Sequence, residues 1–110
     1  MIERRLKRSP KAHEAVSHFL ESFREKAGLD AVALTTSDGL LIGGAGQQVD
    51  LEWMGAIGAA SNKPSLKWEN QTLHVEPLAV HQFELFLTSS GRKVKAQSLT
   101  EGLERILPLA

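Results

Sequence analysis

Cysteine is absent from these 110 residues, which excludes disulfide frameworks, thiolate metal sites and cysteine nucleophiles and fits a reducing compartment as well as any other. An excess of charge of either sign is also lacking. Thirteen basic and thirteen acidic side chains cancel, so no overall field recruits nucleic acid or an anionic membrane. Long hydrophobic runs are missing too: the uncharged run through residues 40–49 is too short and too glycine-rich to span a bilayer. Aromatic residues are few, two Trp and four Phe, which makes the placement of Trp53 and Trp68 worth following. The first eleven residues are basic without a following apolar stretch of the length a secretory signal needs, so a cytoplasmic protein is expected.

What is present is an ordinary globular composition, 42% hydrophobic and 24% charged, in a chain long enough for a single core. Residues 1–8 read as a basic N-terminal extension, because Arg4, Arg5, Lys7, Arg8 and Lys11 face a single acid, Glu3. Residues 9–110 read as one domain. Ser9-Pro10 is an N-cap followed by proline at the first helical position, where a missing N–H costs nothing. Ala12, Val16, Phe19, Leu20, Phe23 and Ala27 form the one-sided stripe of an amphipathic helix, which Gly28 ends.

Residues 31–36, the turn Ser37-Asp38-Gly39 and residues 40–42 predict a β-hairpin whose strands are apolar on both faces. Gly43-Gly44-Ala45-Gly46 is expected to break the second strand and lead to a helix over 51–62, with Asp50 as N-cap. That helix is apolar or small on nearly every side, so a second protein surface is needed to cover it. Leu51, Met54, Ile57 and Ala60 are predicted on one side, with Trp53 and Ala56 beside them. Gly55, Gly58 and Ala59 are predicted on the remaining surface, where two glycines costing roughly 1 kcal/mol each against alanine imply close approach of something. Strands follow at 65–69, 72–78 and 82–88, with turns at Asn70-Gln71 and around residues 79–81. Alternation in Phe83, Leu85 and Leu87 against Phe86 makes the last strand central. A final helix from about Lys93 carries Ala96, Leu99, Leu103 and Ile106, closed by Pro108.

Signals for catalysis are weak. His13 and His18 lie about 140° apart on a helix, His74 and His81 sit on different strands, and no spacing supplies further metal ligands. The glycine run lacks the lysine and hydroxyl of a phosphate loop. No serine stands in a nucleophile constellation, and the acidic pairs Glu21 with Glu25 and Glu101 with Glu104 read as solvated helix faces. No cofactor, no metal and no enzymatic activity are expected. Arg92, Lys93 and Lys95, predicted to open the last helix, would oppose its dipole by a few tenths of a kcal/mol each, which leaves either an unoptimised loop or a contact with an acidic partner.

The order helix, two strands, helix, three strands, helix, and above all Ala31-Val-Ala-Leu-Thr-Thr36, the Ser37-Asp38-Gly39 turn, Leu40-Leu-Ile42 and Met54-Gly-Ala-Ile-Gly-Ala-Ala60, resembles the roadblock family of dynein light chains and GTPase regulators. The resemblance runs from Ser9 onward. It implies a profilin-like α+β fold, αββαβββα, with a five-stranded antiparallel sheet, one helix on one face and two on the other. It also implies a homodimer through the middle helix and third strand, with Leu51, Met54, Gly55, Gly58, Ala59, Asn62 and Trp68 at the interface. Such a protein is expected to bind a small Ras-like GTPase and modulate its nucleotide cycle without chemistry of its own. A dynein light-chain-like adaptor and a small-molecule sensor are the alternatives.

Overall fold

The computed structural model describes residues 10–46, 50–68 and 70–107. The basic extension 1–8, the Ser9 cap, Val49, Glu69 and the closing Pro108 lie outside the described residues.

Helix α1, Pro10–Ala27, follows from its stripe: Val16 and Leu20 are fully buried, and Ala12, Phe19, Phe23 and Ala27 pack against them. It ends as the glycine requires. Gly28 adopts φ +70, the Leu29 N–H donates to Arg24 O at 3.0 Å and the Gly28 N–H to Glu25 O at 3.4 Å, the paired bonds of a Schellman stop. Strand β1, Ala31–Thr36, turns through Ser37, Asp38 and a left-handed Gly39 into β2, Leu41–Gly46. Here the sequence expectation is corrected: the glycine run does not break the strand but forms most of it. Gly43, Gly44, Ala45 and Gly46 pair with Leu34, Ala33, Val32 and Ala31. The reason is room, since a Cβ on Gly43 would lie 2.6 Å from Val16 Cγ1 of α1.

Helix α2, Leu51–Ser61, starts where expected, with Asp50 Oδ1 accepting from the Trp53 N–H at 3.1 Å, and ends on Asn62 in the left-handed conformation. Strands β3, Ser65–Trp68, β4, Gln71–Val80, and β5, Phe83–Ser90, complete an antiparallel sheet of order β2-β1-β5-β4-β3, so the last strand is central. Strand β4 is longer than predicted and contains Pro77, which is tolerated because β3 has already ended and its side of β4 is open there. The turn to β5 is His81-Gln82, both at positive φ (51 and 69). The predicted final helix is replaced by a loop at 91–95, a short 3₁₀ segment, Ala96–Leu99, and helix α3, Thr100–Ile106.

The sheet is covered as the α+β expectation requires. Val16, Leu20, Val32, Leu34, Leu78, Leu85, Leu99 and Leu103 join one face to α1 and α3, while Ala31, Ala33, Met54 and Leu73 form a smaller core under α2. Under α2 the sheet presents small side chains, and the helix presents glycines to them. A Cβ on Gly55 would lie 2.5 Å from Thr35 Cγ2, and one on Gly58 would lie 2.0 Å from Thr88 Oγ1. This corrects the sequence reading, which placed both glycines away from the buried side: the close approach is to the chain's own sheet.

At an open helical position Gly→Ala stabilises by roughly 1 kcal/mol; Gly58→Ala is expected instead to destabilise by about 1–3 kcal/mol through overpacking. Thr88→Ala in the same chain should recover part of the loss, a coupling measurable by a urea-denaturation cycle; a Gly58→Ala protein as stable as its parent would refute the packing described. A second outcome concerns α1, where Arg24 Nε donates to Glu21 Oε2 at 2.9 Å. That bond holds the Glu21 carboxyl below its ordinary range. The pair therefore contributes fully above the unfolded carboxylate value of about 4.3, and its contribution falls as pH drops through the lower folded value. Glu21→Gln should leave a shallower acid-side decline in thermal midpoint between about pH 5 and 3 than the parent shows.

Candidate interaction surface

The buried face of α2 carries Leu51, Met54, Gly55 and Gly58, spaced three, one and three residues apart. The outward face then consists of Glu52, Trp53, Ala56 and Ala60, with Ile57 and Ala59 on its flanks. It remains apolar: Trp53 is 59% exposed, and Leu40 at the hairpin turn is 50% exposed. These two residues line a cleft of about 500 Å³ with Gly39, Leu41, Asp50, Glu52 and Ala56. No Lys, Arg or His occurs anywhere between Ala31 and Asn62, whereas Asp38, Asp50 and Glu52 do. The surface is therefore apolar with an acidic rim, although the chain as a whole is neutral.

Of the residues expected at a dimer interface, Met54, Gly55 and Gly58 are buried against the sheet of their own chain, and Leu51 is half-buried with Cδ1 3.1 Å from where a Gly44 Cβ would stand. Ala59 is half-buried and Asn62 exposed. Trp68 is half-buried on the edge strand, packed on the rim of the core under α2 with Leu66. The structure thus does not gather these three: Asn62 stands just before β3, beside Val75 and Pro77, while Trp68 is at the other end of that strand, opposite Gln71. It also adds Trp53, Ala56 and Ala60, whose role followed only once the buried side of the helix was known.

The two sheet edges are unequal. On β2 the Gly44 N–H donates to Ser17 Oγ at 3.2 Å, so α1 occupies part of that border. On β3 four residues alternate exposed and half-buried, and no described element lies beyond them. An uncovered edge offers unpaired N–H and C=O groups to another strand.

Arg92, Lys93 and Lys95 are all exposed; Arg92 and Lys93 lie in the loop, and Lys95 is the N-cap residue of the 3₁₀ segment that leads into α3. The Arg92 guanidinium stands over Gly28, 3.9 Å from an added Cβ, at the C-terminal end of α1, where a cation is favoured by the helix dipole. The other arginines among the described residues are engaged: Arg24 with Glu21, and Arg105 with Glu101 at 2.8 Å. Glu104, read from sequence as solvated, is instead half-buried and accepts from the His81 N–H at 3.0 Å, while His81 Nε2 lies 2.8 Å from Glu104 O. Among the described residues no three His, Asp or Glu side chains gather as a metal site. No described helix is long and apolar enough to cross a membrane.

No protein-family model matches the chain, and no curated protein does. Among solved structures it is similar to Myxococcus xanthus MglB, with a TM-score of 0.56 over 90% of this chain and 85% of that one, at 13% sequence identity. The fold is of the roadblock and profilin-like type. At that identity the likeness speaks to architecture.

The two faces of α2 give opposite expectations. Met54→Ala should cost about 2–5 kcal/mol in urea denaturation, as for a fully buried side chain, whereas Trp53→Gln should stay within about 0.5 kcal/mol of the parent. Equal losses for the two variants would show that the outward face has been misassigned.

Proposed function

We propose that this chain is a non-enzymatic homodimeric regulator that binds a small Ras-like GTPase and modulates its nucleotide cycle in the cytoplasm. The observation that carries the reading is the open β3 edge beside an apolar outward α2 face, in a fold of roadblock type. An open edge strand favours pairing with the same strand of a second copy. Trp68 belongs to that strand and Asn62, exposed, precedes it by three residues, so both could extend the contact, with Ala59 on α2. The GTPase part of the reading rests on the family resemblance carried by the hairpin and α2.

Regulation would act by reshaping the partner's own catalytic residues. Arg24 is held by Glu21, and the exposed Arg92 and Arg105 stand in no arrangement that marks either as an inserted finger. The same observation favours a second reading, an adaptor that binds without changing GTP hydrolysis. Basic side chains at Lys93 and Lys95 offer either kind of partner an exposed cationic contact.

Light scattering at micromolar concentration should report about twice the 12.0 kDa chain mass. The alternation of the β3–β4 ladder points the Lys67 N–H away from β4, so Lys67→Pro should shift the species toward monomer while the fold is kept. Purified protein should bind a small GTPase in one nucleotide state in preference to the other. Faster or slower hydrolysis in that mixture supports the regulator, unchanged hydrolysis supports the adaptor, and no binding to any candidate in either state would remove the GTPase reading altogether.

A further inference from the structure

The cleft between the β1–β2 turn and the first turns of α2 is not accounted for by the edge-strand dimer. Its wall is apolar at Leu40 and Trp53, its rim is acidic at Asp50 and Glu52, and it lies at the β2–β1 side of the sheet, opposite the open β3 edge. Asp50 uses Oδ1 to cap α2, which fixes that carboxylate at the mouth of the cleft.

The chain itself carries a segment of complementary chemistry. Arg4, Arg5, Lys7 and Arg8 flank Leu6, whereas the 32 residues from Ala31 to Asn62 hold three acids and no base. The neutral total hides this segregation. The direction of α1 sets its first described residue, Pro10, at the hairpin-turn end of the molecule, on the sheet face opposite α2. Val16 stands against Gly43 and Ser17 meets Gly44, while Gly28 lies beyond Ala31 near Arg92, so α1 runs parallel to β2. Its first residue is therefore displaced from Val16 toward the hairpin turn, by about 9 Å for six helical residues. From Pro10, nine residues reach up to about 30 Å, enough to pass the turn at Gly39 and Leu40.

We propose that the basic segment 4–8 of this chain docks in the cleft formed by Leu40, Trp53, Asp50 and Glu52, with Leu6 against the tryptophan and the cations facing the acidic rim. The segment then covers the N-terminal half of the α2 outward face and leaves the β3 end free for a second copy. A partner that takes the Trp53 surface must first displace it.

The absence of native cysteine allows a direct test in the full chain. Lys7→Cys with Ala56→Cys should form an intrachain disulfide under mild oxidation at least tenfold faster than the control pair Lys7→Cys with Lys93→Cys at the far end. The advantage should shrink in 1 M salt, where the Debye length falls to about 3 Å. Equal rates for the two pairs, or a bond formed only between chains, overturns the proposal. Independently, in Trp68→Phe protein the remaining Trp53 should be quenched more readily by acrylamide, with red-shifted emission, once Arg4, Arg5, Lys7 and Arg8 are all changed to Glu. Unchanged quenching and emission would count against it even if the disulfide variants folded poorly.

Discussion

The contact on which the rest depends is the approach of α2 to the sheet, glycine over threonine at two points, Gly55 on Thr35 and Gly58 on Thr88. A helix with larger residues at those positions would stand further off, and Met54 would not reach the small core formed with Ala31, Ala33 and Leu73. The closeness has a cost, since the hydroxyls of Thr35, Thr88 and Ser90 are buried there without a hydrogen-bond partner among the described residues. Unpaired buried hydroxyls are unfavourable, so this layer is held by fit and apolar contact more than by polar bonds. Because α2 lays Gly55 and Gly58 on its own sheet, with Met54 and Leu51 filling the core beside them, Trp53 is the one large apolar side chain that it turns fully outward. The exposed surface is thus a consequence of the packing beneath it.

The same economy of side chains acts on β2. Gly43 admits Val16 from one side and Gly44 admits Leu51 from the other, so helices on both faces press against a stretch of edge strand, residues 43–46, whose only side chain is the Ala45 methyl. Glycine ordinarily weakens a strand. Here the strand is stabilised by what its missing side chains let in, including the Ser17 hydroxyl that accepts the Gly44 N–H.

Much of this was legible in the sequence where local chemistry decides the outcome. The Ser-Asp-Gly turn, the Gly28 stop, the Asp50 cap and the stripe of α1 each depend on neighbours within four or five residues, and the structure has them as read. The misreadings share a different cause. The glycine run became a strand because α1, some 27 positions away, fits against it. The α2 glycines turned inward because Thr35 and Thr88 lie beneath them, and no pattern within a helix that mixes glycine, alanine and larger apolar residues on every side marks which side is buried. The His81-Gln82 turn has none of the glycine or asparagine that signals positive φ; Glu104 of α3, accepting the His81 N–H from 23 positions away, stands against it. The candidate surface was legible in composition, as a helix lacking a polar face, but its residues were not, since choosing them required knowing that inward side.

The sealing of β2 by α1 has a further meaning for assembly. A sheet with two open borders can add copies at both and grow without limit, as in fibres. With α1 packed along β2 and the Gly44 N–H already bonded to it, β3 is the border left open to another strand, and a contact made there would join two chains and leave neither an open border of that kind.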